Sequence, residues 1–470
     1  MITLSARAGF SKNTFHAVAN PFLQAHALPF SDVMDAQHVR QVFEEEGGLF
    51  GSGPGDIFST DIVLSAYLAQ TLRSGKEAAC AAAVAGIVAH RVQTGQKPPS
   101  GNTGDYCRAR DKLNIVALRR LTIGAAQQVE QEVPKAWLFK GLHAKLVDGF
   151  TVTMLDTPQN QAAFPQLHSQ KKGVGFPIAR AVVVMSLATA CMHHLALGPY
   201  EGKETGETAL LRTILNCFSP EDLVLFDRYY CSYMMIALLQ ARQVHVCTRL
   251  HQRRHSDFRR GKRLGPGDHL ITWTRPERPE WMTPEEYATI PETMTLREIR
   301  FQVCEPGKRV ETLTLITTLT DSTQFSKEDI AQLFGFRWNV ELDIRQIKQT
   351  LGLDHVPCKS PERVLRHLWV TLLGYNLIRK LNVTAAVVHG CQARQLGFTL
   401  ACQTVLASWG FLATGTCRDV QAMTQVVLKQ IAANRVANRP GRIEPRVLKR
   451  RRHRYPLMRR SRKELKAKCA

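Results

Sequence analysis

Three acidic residues, Asp148, Asp227 and Glu341, stand in settings where a carboxylate has chemistry to do. In KLVDGFTV (residues 145–152) Asp148 interrupts an apolar run, and in DLVLFDRYY (residues 222–230) Asp227 closes one. Burying a bare carboxylate is costly, so each must be paired, hydrogen-bonded or bound to a metal. Glu341 lies in FGFRWNVELDIRQIKQTLGL (residues 334–353), where Arg337, Glu341 and Lys348 recur at spacings of four and seven. At about 100° per residue, all three fall within roughly 40° of one helix face. A carboxylate flanked by two cations suits a divalent metal beside a phosphodiester: the Glu takes the metal, and the Arg and Lys take phosphate oxygens. The same spacing also makes ordinary i,i+4 ion pairs, worth about 0.2–0.5 kcal/mol each, so the helix alone leaves both readings open.

The metal chemistry needs little else from the protein. Magnesium prefers hard oxygen ligands and keeps several waters, so two or three carboxylates plus phosphate oxygens suffice. Two such ions about 3.5–4 Å apart can activate a water or a 3′-hydroxyl and steady the leaving oxygen of an in-line displacement. Positioning and charge neutralisation then supply the catalysis, and no nucleophilic side chain is required. No G-x-S-x-G is present to support a serine nucleophile.

The elements that must position these residues are readable in outline. Residues 1–135 read as helical, with apolar positions recurring at three and four over residues 61–91 and again over 105–132. From residue 136 the pattern changes to Val-, Leu- and Thr-rich runs at residues 146–155, 181–195 and 223–229, the second long enough to split into two strands. A short amphipathic helix over residues 208–217 lies between the last two. The prediction is a mixed α/β sheet. Residues 241–305 read as a β-rich, basic insertion, with short strands at 244–250, 269–274 and 296–303. Residues 249–263 hold seven Arg or Lys against one Asp. The alternating run 311–319 reads as a strand returning to the main sheet. Ser326, with Asp329 three residues on, starts a helix predicted to continue to about Gly352. Further helices are expected at 361–381 and 399–413. The predicted divisions are therefore 1–135, 136–240, 241–305, 306–385 and 386–470: a helical N-terminal region, two parts of a catalytic domain split by the insertion, and a helical C-terminal region ending in a basic tail.

Bulk properties point to a polyanionic partner. The chain has 470 residues, 44% of them hydrophobic, enough for a sizeable buried core, and a formal charge of +22 that a nucleic acid would offset. Residues 435–470 alone carry fifteen Lys or Arg against two Glu, the composition of a solvated run that binds phosphate without reading sequence. No run of about 18 apolar residues indicates a membrane span, and no secretory leader is evident. Twelve scattered cysteines without a C-x-x-C fit a reducing cytosol rather than a zinc ribbon or disulfide framework.

At this point the motifs resemble a known family. Phe334, Arg337, Glu341 and Lys348 are similar to the Y-(2)-R-(3)-E-(6)-K signature of DDE transposases of the insertion-sequence-4 group, with Trp338 matching the RW common there. LVDGFTVTMLDTPQNQ (146–161) and LVLFDRYYCSY (223–233) look like the blocks holding the first and second catalytic Asp. SGNTGDYCRARDKL (100–113), TLITTLTD (314–321) and NRPGRIEPRVLKRR (438–451) resemble further family segments. The resemblance implies a ribonuclease-H-like mixed sheet with flanking helices, a β-rich insertion and an N-terminal helical region that binds element ends. It implies an insertion-sequence transposase of the bacterial cytoplasm and nucleoid that acts on double-stranded transposon-end and target DNA as a synaptic homodimer. Asp148, Asp227 and Glu341 would hold two Mg2+ ions, for which Mn2+ substitutes, and strands would be cut and joined through a hairpin. By the same resemblance Arg337 and Lys348 would contact DNA phosphates, with Phe334 at the motif's tyrosine position. Arg228, next to the second Asp, reads equally as a DNA contact or a structural ion pair.

The motif tyrosine is Phe334 here, so one phosphate hydrogen bond, worth about 0.5–1.5 kcal/mol, is missing. The alternative it leaves is an impaired copy that only binds DNA. Asp156 is the rival to Asp148 and reads as a turn residue before Thr157-Pro158. The His193–His194 pair reads as strand or hairpin surface. Trp273 reads as core packing or stabilisation of an exposed strand in preference to a platform for an extruded base. Residues 102–112 are a candidate for contact with element ends, without a clear helix-turn-helix.

Overall fold

A computed structural model of the protein places residues 36–53, 55–93, 95–303, 311–413, 420–436 and 458–467. Most of the basic tail and residues 1–35 lie outside these described residues. The chain divides into two compact units. One draws on Met1–Trp137, Ala188–His193 and Asp343–Val436, and the other on Leu138–Leu187, His194–Leu342 and Ala437–Ala470.

The second unit is built on one large mixed sheet. Its strands are β1 His143–Met154, β2 Ile178–Ser186, β3 Met192–Pro199, β4 Asp222–Phe226, β5 His245–Arg249, β6 Lys262–Gly265, β7 Asp268–Thr274, β8 Thr293–Val303 and β9 Glu311–Thr317. They lie side by side in the order β3-β2-β1-β4-β5-β9-β8-β7-β6. β1 pairs antiparallel with β2 and parallel with β4, and β4 pairs parallel with β5. That is the predicted ribonuclease-H-like arrangement. Burial on both faces explains the continuous apolar runs: all five residues of β4 are buried. Each fully buried Val, Leu or Phe contributes about 1.5–3 kcal/mol, and β4 supplies four of them in Leu223, Val224, Leu225 and Phe226.

One anticipated feature is present and two others differ from the sequence reading. The run 181–195 does split, into β2 and β3, at a tight connection where Ala190 takes a φ of 59°. β5 belongs to the main sheet through its parallel pairing with β4, so the insertion begins after Arg249 rather than at 241. The insertion is also no separate body: β9 pairs with β5 on one side and β8 on the other, so β8, β7 and β6 prolong the same sheet. Pairing partners far apart in sequence decide this, and no local pattern reveals them. Within the insertion Arg297 is wholly buried, with Nε and Nη2 donating to the two oxygens of Asp268 at 2.8 and 2.6 Å and Nη1 to the Phe325 carbonyl at 2.7 Å.

The first unit is helical. The two long N-terminal stretches predicted from periodicity are each two helices. Thr60–Thr71 and Cys80–Gln93 are separated by a short 3-10 turn at Gly75–Ala78, where Gly75 has a φ of 60°. Thr103–Asp111 and Ile115–Gln131 are separated by Asn114, whose side chain caps the second by accepting from Val116 N and Ala117 N. An N-cap of this kind is worth about 1 kcal/mol and restarts the helix in a new direction. The helix Pro361–Val388 runs past the predicted end at 381 and is buried along most of its length. Its Asn376 accepts from Met192 N at 2.8 Å and donates to the Thr122 and Met192 carbonyls at 3.0 and 2.9 Å. Asp343, 1% exposed, takes Arg379 at 3.0 Å and Arg394 at 2.9 Å. Such pairs add little net stability when formed, but breaking one strands a buried charge.

Candidate active site

The parallel register of β1 and β4 brings the two aspartates together. Leu146 is opposite Leu225, and two residues further along each strand come Asp148 and Asp227. Side chains two apart share a face, and neighbouring strands lie about 4.8 Å apart, so the carboxylates project from one face at one level. Asp227 is still extended and closes the strand by capping the 3-10 turn Arg228–Tyr230: its Oδ1 accepts from Tyr229 N at 2.8 Å. Its own carbonyl accepts from Thr248 Oγ1 of β5 at 2.9 Å. Asp148 Oδ1 accepts from Gly149 N at 2.8 Å. Each aspartate thus uses one oxygen for local structure.

Asp148 is three-quarters or more shielded, its side chain 22% exposed. Burial pushes its carboxyl up to about 6 and the charges of Asp227 and Glu207 act the same way, against the Gly149 N–H and Arg337. A centre that crowds carboxylates in this way and leaves oxygens over fits a hard divalent cation. Among the described residues, no three His, Cys, Asp or Glu side chains form a closed metal-ligand group. Asp148 and Asp227 are brought to one place directly, and Glu341 is linked to them through an arginine.

That arginine is Arg337. It is 7% exposed, with Nη1 lying 3.8 Å from Asp148 Oδ2 and Nη2 donating to Glu341 Oε1 at 3.3 Å. The stretch that carries it is not one uniform α-helix. The capping box of Ser326 and Asp329 starts α-helix Lys327–Gly335 as predicted. It tightens to a 3-10 turn at Phe336–Trp338, resumes as α over Asn339–Arg345, and widens to a π-turn at Gln346–Thr350. Arg337 and Glu341 do share a face, as their i,i+4 contact shows, but the uniform 100° period does not extend to Lys348, which sits in the wide turn. Glu341 is exposed. Phe334 is buried at 6%, so its ring packs in the core. Lys348 falls in the other unit and is half-exposed.

One carboxylate at the centre escaped the sequence reading. Glu207 opens the helix Glu207–Arg212, and its side chain lies over Gly149: a Cβ at that glycine would stand 2.8 Å from Glu207 Cγ and closer still to its carboxyl. Glu207 Oε2 accepts from the hydroxyl of the wholly buried Tyr230 at 3.1 Å. Burial raises the Glu207 carboxyl above its usual range. The phenol of Tyr230 is raised far, first by burial and then by the charges of Glu207 and Asp148. The only local signal was the glycine after Asp148.

Asp156 lies past the end of β1, exposed, where Gln161 Nε2 donates to it at 2.8 Å. The six residues of strand from Asp148 to Met154, about 20 Å, already carry it away from Asp148. Arg228 is half-exposed in the turn after Asp227. The histidine pair is a correction: His193 and His194 are 9% and 6% exposed, not surface, and His193 Nε2 lies 3.3 Å from Glu130 Oε2. Trp273 is 7% exposed with the Arg254 guanidinium 3.8 Å over its ring, as expected for core. Among the described residues no helix is long and apolar enough to cross a membrane.

The chain belongs to the DDE transposase family: the family model described as "Transposase DDE domain" matches residues 143–377, half of its length, a span that contains both aspartates, Glu207 and Glu341. It is an enzyme of the class that cuts and joins DNA. It is similar to the transposase InsG for insertion sequence element IS4 of Escherichia coli (strain K12), with 28% identity over 363 residues, covering 74% of this chain and 77% of that protein. Among solved structures it is similar to the piggyBac transposase in its synaptic complex with hairpin DNA, at 9% identity and a TM-score of 0.41, over 91% of this chain and 87% of that one.

Proposed function

We propose that the chain is an insertion-sequence transposase whose acids Asp148, Asp227 and Glu341 hold two magnesium ions, with manganese as a substitute. The observation that carries the reading is the level pairing of Asp148 and Asp227 on β1 and β4, joined through Arg337 to Glu341. Bound there, the ions would supply activation of a water or 3′-hydroxyl and neutralisation of the leaving oxygen. The protein's part is to hold oxygen donors rigidly, Asp148 within β1 and Asp227 at the end of the neighbouring β4, which a sheet does better than a loop. Arg337 bridges Glu341 and Asp148 and offsets their mutual repulsion, and its charge is available to a phosphate once the acids take a metal. Arg228 and, by its place in the motif, Lys348 are the further phosphate contacts, while the Phe334 ring packs in the core and steadies the helix leading to Arg337. The helical region before residue 136 binds element ends, the basic tail adds non-specific contact, and two copies act in a synaptic complex in the bacterial nucleoid.

The test incubates the full chain with magnesium and the element's end sequence. The expected products are a 3′ nick, a hairpin and strand transfer. Asp227→Ala and Glu341→Ala should bind ends but not cut, and cleavage that survived either change would overturn the assignment. Phe334 favours the second reading, an impaired copy that only binds, and binding by the unaltered chain without any nick would establish it.

A further inference from the structure

We propose that Glu207 is an accessory carboxylate of this centre: seated over Gly149 and anchored by the Tyr230 hydroxyl, it strengthens the hold of Asp148 and Asp227 on divalent metal. The inference rests on the reading of those two aspartates as metal-holding acids. Three observations converge on it. The space that any other residue at position 149 would fill is taken by the Glu207 carboxyl, directly beside Asp148. Tyr230 follows Asp227 by three residues, and its buried hydroxyl is committed to Glu207 Oε2, so the turn that ends β4 fixes both acids at once. Arg180, whose charge acts on Glu207, has other partners, with Nη1 donating to the Thr205 carbonyl at 3.0 Å and its guanidinium over Tyr200 at 4.3 Å.

Glu207 Oε1 lies towards Gly149, while Oε2 is held by Tyr230. An acid so placed repels Asp148 and Asp227 until a cation intervenes, and it can accept hydrogen bonds from waters on that cation. Groups surrounding a metal in this way change its affinity by about 10–100-fold. If Glu207 were only an acceptor for Tyr230, its charge would not matter to metal binding.

Calorimetric titration of Mn2+ into the DNA-free full chain separates the two. Glu207→Gln is expected to weaken Mn2+ binding by about tenfold or more, Glu207→Asp to restore part of it, and Tyr230→Phe to give a smaller loss. Glu207→Gln binding Mn2+ as tightly as the unaltered chain, while Asp227→Asn has lost it, overturns the role of Glu207 and leaves the aspartates' role standing. Asp227→Asn binding normally sinks the reading of the aspartates, and this inference with it. Should Glu207→Gln fail to fold, unchanged binding in both Glu207→Asp and Tyr230→Phe overturns the proposal, and weakened binding in both supports it.

Discussion

Gly149 and Glu207 interlock: the glycine beside Asp148 leaves the volume that the glutamate's carboxyl occupies. A methyl group at 149 has to displace it. Gly149→Ala should cost about 1–3 kcal/mol of stability, as overpacking does, and should depress cleavage more than end binding. Adding Glu207→Ala should recover the stability and not the cleavage. Denaturant unfolding of the single and double variants measures the coupling, and simple additivity would contradict the contact.

Among the described residues, Arg337 is the one guanidinium paired with both Asp148 and Glu341. Arg337→Lys keeps the charge but cannot span two carboxylates in a fork, so it should fold and cleave slowly. Arg337→Ala should abolish cleavage. A lysine variant that cleaves at the normal rate would show that the bridge has no bearing on the reaction.

Arg297 and Asp268 form a buried pair, 0% and 5% exposed. Removing one partner strands the other, so Asp268→Asn should destabilise the chain by about 3–5 kcal/mol. Arg297→Met with Asp268→Leu should be milder than either single change. Melting curves decide it, with no assay of activity needed.

His367 is held neutral, its imidazole pulled down to about 4, chiefly by burial and then by the Arg110 cation, and it lies 3.1 Å from the Tyr67 hydroxyl. The unfolded chain binds a proton near pH 6.5 and the folded chain only near 4, so the unfolded state carries more protons between these values. This group's contribution is therefore full above pH 6.5 and is lost as pH falls towards 4. Unfolding titrations of His367→Phe should show a shallower loss over that window than the unaltered chain, and equal slopes would remove His367 as the cause.

Much of the catalytic unit was legible in the amino-acid sequence, because strands buried on both faces must be continuously apolar and an acid within them is conspicuous. Asp148 and Asp227 came forward in that way, Glu341 by its spacing from Arg337 and Lys348, and the start of the helix at Ser326 by its capping box, a local device. The sequence also set the charge, and with it the class of partner. What it could not determine was anything decided by pairing at a distance. That β5 joins the central sheet, and that the insertion continues it, depends on ladders between strands some seventy residues apart, such as Cys247 with Thr317. The helix around Arg337 departs from one period because tertiary contacts outweigh the few tenths of a kcal/mol that local pairs supply. Glu207 was invisible for the same reason. A glutamate before an apolar run looks like any solvated helix start, and only folding lays it over Gly149 and under the hydroxyl of Tyr230.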